Sequence, residues 1–268
     1  MPCGTHFRTY DGQTFNVDDY PATLSDLRLD TYEITVGRFR AFVSAGKGTL
    51  AAPPDAGDGA HPKIPGSGWD PAWNENLAQS AQDLIDSLHC NVQSTWTDTP
   101  GPNERLPVNC VSWFEAFAFC AWDGGRLPTE AEWDRAAAGG DEQREYPWGS
   151  GIDDTHAVYG CIGGQCPPGF LPDVGSRSPQ GDGRWGQADM AGSVAEWMLD
   201  WFFVEFQSTQ PCVDCASVTA GTARSIRSGS YVLGPGALRT AERFSAFPVA
   251  NETLKRDVTI GARCARQP

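Results

Sequence analysis

The sequence predicts a single domain of the α/β (α+β) class in which irregular loops make up much of the chain. Its 268 residues include 30 glycines and 20 prolines, a proportion that favours turns and disfavours an ordinary helical bundle. Apolar residues make up 40% of the chain, which is ample for a hydrophobic core. Capping motifs and short alternating segments predict the individual helices and strands. No change in composition separates folded blocks, so we expect one domain over residues 1–268.

The N-terminal part of the chain carries a strand signal and then a helix signal. Residues 27–33 alternate apolar and polar side chains, which is the period of a strand with one buried face. Thr35 is a candidate N-cap for the helix that follows. The apolar residues that share one face of that helix are Val36, Phe39, Phe42 and Val43. Near the other end of the chain, residues 224–232 and 258–266 are predicted as strands.

Two capping boxes predict where further helices begin. Ser112 is followed three residues later by Glu115, and Thr129 by Glu132. In this motif each side chain accepts a hydrogen bond from the backbone N–H of the other residue, which stabilises the first turn. Paired glycines end both predicted helices.

Residues 47–105 form a stretch rich in Pro, Gly, Asp and Asn that contains Trp69, Trp73 and Trp96. Tryptophans in such polar sequence predict an ordered insertion packed on the domain, with a helix at about 78–88. The rings either pin the insertion to the core or present an aromatic platform to a ligand.

Charge and cysteine content limit the classes of function. The formal net charge of −14 argues against broad nucleic-acid binding, which requires basic patches. No run of 18 apolar residues occurs, so no membrane span is predicted. Nine cysteines predict a disulfide-bonded, extracytoplasmic protein, whether secreted, periplasmic or at the cell surface. Alternatively, two of the cysteines, Cys212 and Cys215 of a CxxC pair, would bind zinc.

Five sequence blocks occur in order along the chain. They are LDTYEIT (29–35), LPVNCVSW (106–113), GRLPTEAEW (125–133) with YPWG (146–149), DMAGSVAEW (189–197), and IRSGSY (226–231) with IGARC (260–264). Together they resemble the formylglycine-generating enzyme family, also called sulfatase-modifying factors. The resemblance implies an irregular, loop-rich fold related to C-type lectins. It leaves function open, because members of this superfamily include copper oxidases, iron-dependent sulfoxide synthases, siderophore-maturing proteins and non-catalytic binding proteins.

The copper chemistry of the family is not expected in this chain. The resemblance places two copper-binding cysteines in the loop after residues 226–231, where this sequence has Leu233 and, nominally, Leu238. No cysteine lies between Cys215 and Cys264, and copper(I) requires soft thiolate ligands. The four histidines are scattered at no metal-ligand spacing, so a non-haem iron site is not predicted either.

A structural calcium site is implied by the resemblance. The side chains of Asp189 and Glu196 and the main-chain carbonyls of Gly192 and Val194 fall on the family's calcium ligands, and oxygen donors of this kind suit calcium. The alternative is a solvated loop in which Glu196 pairs with an arginine.

Disulfides are the other expected cross-links. The resemblance implies a disulfide between Cys120 and Cys264, and Cys90 could pair with Cys110 because both flank the insertion. The pairing of the remaining cysteines is left open: Cys161–Cys166 with Cys212–Cys215, or cross-pairs between these two sets, with Cys3 left over.

A ligand pocket is also implied by the resemblance, beside the Gly-Ser turn of the fifth block. Its residues in this sequence are Ser230, Tyr231, Leu233, Arg239, Glu242 and Arg243. The arginines and Glu242 form either a structural ion-pair network or a site for a small polar ligand or peptide. In the second case Glu242 would act as a general base.

These observations favour a non-catalytic binding module, a pseudoenzyme stabilised by calcium that binds a peptide, a glycan or a surface partner. The alternative is an enzyme of the same superfamily with altered chemistry at Ser230, Arg239, Glu242 or Arg243. A third possibility is an inactive relative that acts beside an active oxidase.

Overall fold

The regular elements of the protein are short and are joined by long loops. A computed structural model describes residues 1–161, 166–167, 169–206, 210–248 and 256–268. The α-helices within these ranges are α1 (Val36–Ser44), α2 (Ala81–Leu88), α3 (Trp113–Trp122) and α4 (Glu130–Ala137). The strands are β1 (Gly4–Phe7), β2 (Pro21–Leu24), β3 (Arg28–Leu29), β4 (Ala195–Trp201), β5 (Cys212–Val213), β6 (Arg224–Arg227), β7 (Phe244–Ala246), β8 (Ile260–Gly261) and β9 (Ala265–Arg266). None of the described helices is long and apolar enough to cross a membrane.

The strands form three small sheets. The central sheet has the order β7-β6-β4-β8, with β4 antiparallel to β6 and parallel to β8. A second sheet has the order β1-β2-β5, and β3 pairs with β9 in an antiparallel ribbon. Helices α3 and α4 both pack against β4, so the central sheet carries the core.

The helix starts follow the sequence signals. The Thr35 hydroxyl accepts a hydrogen bond from the Arg38 N–H at 3.3 Å, and the four residues predicted to share one face of α1 are all buried. Both predicted capping boxes are present, at the first turns of α3 and α4. These predictions are confirmed, because N-caps and capping boxes act through contacts within one turn.

The strand predictions are confirmed only in part. The strand predicted over 224–232 ends at Arg227, because Ser228 and Gly229 have φ angles of 83° and 65°, outside the β region. The segment 258–266 contains the two short strands β8 and β9. Strand β4 was not predicted, since six of its seven residues are buried and a strand covered on both faces shows no alternation.

The tryptophans of the insertion pin it to the core. Trp69 and Trp96 are only 2% and 4% exposed. The ring of Trp73 lies 5.2 Å from that of Trp113 on α3, in an edge-on contact. Of the two roles considered for these rings, the structure places all three in the packing between insertion and domain.

Four disulfides cross-link the described chain. Cys120 on α3 pairs with Cys264 across a separation of 144 residues, and Cys90 pairs with Cys110. The remaining pairs close locally and are Cys161–Cys166 and Cys212–Cys215. The zinc alternative for the CxxC pair is therefore wrong, and Cys3 is an exposed free thiol.

A network of buried charges lies between α4 and β6. Glu130 accepts hydrogen bonds from Arg243 at 2.5 and 2.9 Å, and Arg227 bridges Glu130 and Asp134. Burial acts to raise the pKa of Glu130, but Arg243 and Arg227 lower it to about 2. Asp200 lies beside this network, where burial and the charge of Glu130 raise its pKa to about 7. The pKa values of the neighbouring carboxyls Glu130 and Asp200 therefore differ widely, at about 2 and about 7.

Removal of the long-range disulfide should destabilise the protein strongly. A Cys120→Ser/Cys264→Ser double variant should lose about 4–5 kcal/mol of unfolding free energy, because the closed loop restricts the unfolded chain. Urea denaturation measures the loss. The matched control, Cys212→Ser/Cys215→Ser, opens a loop with a separation of only 3 residues and should lose much less. Equal losses in the two variants would contradict the explanation from loop length.

The raised pKa of Asp200 predicts a dependence of stability on pH. A carboxyl with a raised folded-state pKa binds a proton that the unfolded chain releases, so its contribution falls as pH rises from 3.8 to about 7. In Asp200→Asn this contribution is absent. The unfolding free energy of the variant, relative to that of the wild type, should therefore be higher at about pH 8 than at about pH 5. Urea denaturation at the two pH values measures the difference. The exposed control Asp154→Asn should show no such trend; a flat difference for Asp200→Asn would contradict the prediction.

Candidate functional site

The loop after β6 is apolar where the family resemblance places metal-binding cysteines. Leu238 is 1% exposed and packs in a cluster with Tyr146, Ala157 and Ala191. Leu233 lies half-buried at the edge of the same cluster. Leucine side chains offer no electron pair to a metal, so these residues do not fit copper. Nor do three His, Cys, Asp or Glu side chains meet in a possible metal site anywhere in the described ranges.

A cavity of about 80 Å³ opens beside this loop. Its floor is Tyr231, whose hydroxyl donates a hydrogen bond to Gln93 Oε1 at 3.1 Å. Burial raises the pKa of Tyr231 to about 12, with a smaller contribution from Asp257, so the phenol stays neutral. The other lining residues are Val92, Ser94, Thr95, Asn103, Leu106, Pro167, Gly169, Phe170 and Leu171.

Hydrogen bonds to main-chain carbonyls hold the walls of this cavity together. The Cys161 N–H donates to the Tyr231 carbonyl at 2.9 Å, and Gln93 Nε2 donates to the Cys166 carbonyl at 3.0 Å. The cavity thus joins the insertion, the Cys161–Cys166 disulfide and the loop after β6. Sequence analysis missed Gln93, because it lies outside the five blocks that carry the resemblance.

Only one of the residues predicted for the pocket lines this cavity, namely Tyr231. Ser230 is buried, at 3% exposure. Arg239 forms an ion pair with Glu145 and lies 3.5 Å from Asp11. The structure therefore does not bring Arg239 into the cavity beside Tyr231.

The remaining two predicted residues lie with the buried charges. Arg243 is held by Glu130 and its guanidinium lies 4.0 Å from the centroid of the Phe206 ring. Glu242 is half-buried, and burial raises its pKa although Arg227 and Arg239 act against the shift. Arg239 and Arg243 are both engaged in ion pairs, but with Glu145, Asp11 and Glu130 and not with Glu242, which the sequence had placed in their network.

The predicted calcium loop is built around a buried ion pair. Glu196 and Arg263 are both fully buried, and the guanidinium Nη2 lies 2.7 Å from Glu196 Oε1. The indole Nε1 of Trp133 donates to Glu196 Oε2 at 2.8 Å. Asp189 has a φ of 59° and accepts a hydrogen bond from the Gly175 N–H at 2.5 Å. The carboxylate of Glu196 is thus already engaged by two donors.

Another buried acid, Glu33, lies beside this ion pair. Burial and the charges of Asp189 and Glu196 raise the pKa of Glu33 well above its usual range, although Arg263 opposes the shift. The Glu33 carboxylate accepts a hydrogen bond from the Val194 N–H at 3.1 Å. Because Arg263 holds Glu196, the oxygen donors of this loop that remain candidates for calcium are Asp189 and the main-chain carbonyls.

Two relatives of known function are similar to this chain in sequence. Formylglycine-generating enzyme from Streptomyces coelicolor is 36% identical over 183 residues, covering 62% of this chain and 54% of the relative. Hercynine oxygenase from Mycolicibacterium smegmatis is 33% identical over 171 residues, covering 59% and 37%. The chain spans about half the length of the formylglycine-generating enzymes it matches.

Solved structures share the fold over nearly the whole chain. PvdO from Pseudomonas aeruginosa superposes with a TM-score of 0.65 at 21% identity, covering 100% of this chain and 93% of that one. Treponema denticola variable protein 1 gives a TM-score of 0.60 at 18% identity, covering 99% and 95%. Residues 6–268 match the family model described as a sulfatase-modifying factor enzyme 1-like domain. The chain therefore belongs to the sulfatase-modifying factor family, as a member with leucines where the resemblance places the copper-binding cysteines.

Proposed function

We propose that this protein is a binding module on the formylglycine-generating enzyme scaffold and does not carry out copper-dependent oxidation. The observation that carries the proposal is the apolar loop of Leu233 and Leu238. A leucine can neither ligate copper nor form a mixed disulfide with a substrate thiol. Burial of Leu238 in its apolar cluster gives that loop a packing role in place of a chemical one.

The cavity beside Tyr231 supports binding of an uncharged group. Among the described residues that line it, no side chain carries a charge at neutral pH, so a charge buried there would lack a partner among them. Val92, which is 85% exposed, extends the rim with an apolar surface. The ligand class that fits is a peptide, glycan or surface partner that inserts a neutral polar or apolar group.

Extracytoplasmic location is part of the same proposal. Four disulfides in one chain of 268 residues are typical of proteins that fold in an oxidising compartment. A binding role toward a glycan or surface partner is consistent with that location.

A rim substitution tests the binding proposal. Purified protein is screened on peptide and glycan arrays, and the retained ligand is titrated against Val92→Asp. A charge at the rim should weaken binding by about tenfold or more, because the bound apolar group would meet a hydrated carboxylate. The control Val204→Asp places the same charge at a valine that is 83% exposed and outside the cavity lining. Retention of no array component, or equal loss in both variants, would count against this site.

An oxidation assay tests the non-catalytic part of the proposal. The protein is incubated with copper(I), oxygen and a cysteine-containing peptide, and aldehyde formation and oxygen consumption are measured. We expect neither above the level of copper alone. Aldehyde formation or oxygen consumption above the level of copper alone, retained after loosely bound metal has been removed, would overturn the proposal.

We propose that calcium stabilises the loop through Asp189 and the carbonyls of Gly192 and Val194. Calcium would offset the repulsion among the acids Glu33, Asp189 and Glu196 near Arg263. Addition of calcium should then raise Tm, and Asp189→Asn should abolish the rise while tolerating the positive φ at that position. A calcium response that persists in Asp189→Asn would place the ion elsewhere.

The second candidate function is an enzyme with altered chemistry at Glu242. The observation that favours it is the raised pKa of this half-buried carboxyl beside Arg239 and Arg243, a property of general bases. If the binding screen yields a substrate that turns over, Glu242→Gln should lower kcat with KM nearly unchanged. Unchanged kcat would exclude this role for Glu242.

A further inference from the structure

A second cavity lies on the ribbon formed by β3 and β9, away from Tyr231. Its volume is about 380 Å³, within the range of small-molecule sites. Three arginines, at positions 28, 38 and 266, and the acids Asp30 and Glu33 supply its charged lining. Tyr32 also lines it and has 42% of its surface exposed. A Cβ atom at Gly175 would lie 2.5 Å from the Tyr32 ring, so the glycine lets that ring pack closely.

The ribbon places two like charges opposite each other. Arg28 on β3 pairs in register with Arg266 on β9, and their neighbours Leu29 and Ala265 face the core. Like charges directly opposite on antiparallel strands destabilise a sheet. Burial and the nearby Arg28 lower the pKa of Arg266. The fold therefore keeps two arginines that repel each other, Arg28 and Arg266, at the mouth of this cavity.

One guanidinium of the cavity has no carboxylate partner. Arg38 and Arg266 share the carboxylates of Asp30 and Asp123, a set of four groups that is formally neutral. Arg28 adds a third guanidinium, and the described residues place no carboxylate within ion-pair distance of it.

The acidic residue at the back of the cavity does not supply the missing partner. Glu33 contributes to the lining, but its carboxylate accepts hydrogen bonds from the Ser193 hydroxyl at 3.0 Å and the Val194 N–H at 3.1 Å. A guanidinium left without a carboxylate presents planar paired donors that suit the oxygens of an oxyanion.

We propose that the cavity between β3 and β9 binds a small organic oxyanion, with its sulfate, phosphate or carboxylate group on the unpaired Arg28, next to Arg266, and its body against the Tyr32 ring. The bound anion lies between the two guanidiniums and offsets their repulsion. Tyr32 supplies contact area that an inorganic ion would not use.

Glucose 6-sulfate, inorganic sulfate and glucose are suitable probes, titrated by calorimetry at low ionic strength. Glucose 6-sulfate should bind, and glucose should not. Arg28→Ala should weaken binding of glucose 6-sulfate by about tenfold or more, because it removes charge-assisted hydrogen bonds. Lys47→Ala is the control, since it removes a cation outside the lining of this cavity and should leave binding unchanged.

Two further readouts separate a ligand role from a structural one. Arg28→Ala should leave Tm of the free protein unchanged or raised, because the substitution relieves repulsion with Arg266. Tyr32→Ala should weaken glucose 6-sulfate but not inorganic sulfate. Absence of binding by both anions, or binding that Arg28→Ala leaves intact, would overturn the proposal. Equal affinity of the two anions in the wild type would overturn the role of Tyr32.

Discussion

The buried ion pair between Arg263 and Glu196 is the interaction on which much of the structure depends. Arg263 follows β8, Glu196 lies on β4, and neither is exposed. The guanidinium also donates to the carbonyls of Asp30, Thr31 and Ala188, so it fixes two loops to the central sheet. Loss of one partner of such a pair typically costs about 3–5 kcal/mol, because the other charge remains buried.

This pair shows how a chain with little regular structure keeps a defined shape. Loop carbonyls have no neighbouring strand to satisfy them, and here an arginine supplies several donors at once. Arg227 acts similarly, because it bridges Glu130 and Asp134 and donates to the Thr240 carbonyl. Disulfides add constraints between segments that are distant in sequence. The surfaces left free by this scaffold can vary in chemistry without loss of the fold.

The two cavities differ in the chemistry that they offer. The described lining of the cavity beside Tyr231 is uncharged and lies next to the apolar loop of Leu233, whereas the cavity between β3 and β9 is lined by three arginines and two acids. Each cavity can be tested alone, because no described residue lines both of them.

The sequence by itself determined the family, the helix starts and the absence of copper-binding cysteines, because these depend on local motifs and residue identity. Thr35 and both capping boxes act within one helical turn, so their neighbours in sequence are their neighbours in space. Only the tertiary structure decided the site. Gln93 reaches Tyr231 across 138 residues, and Arg28 reaches Arg266 through strand pairing. Such contacts depend on how loops pack, and neither periodicity nor capping encodes that packing.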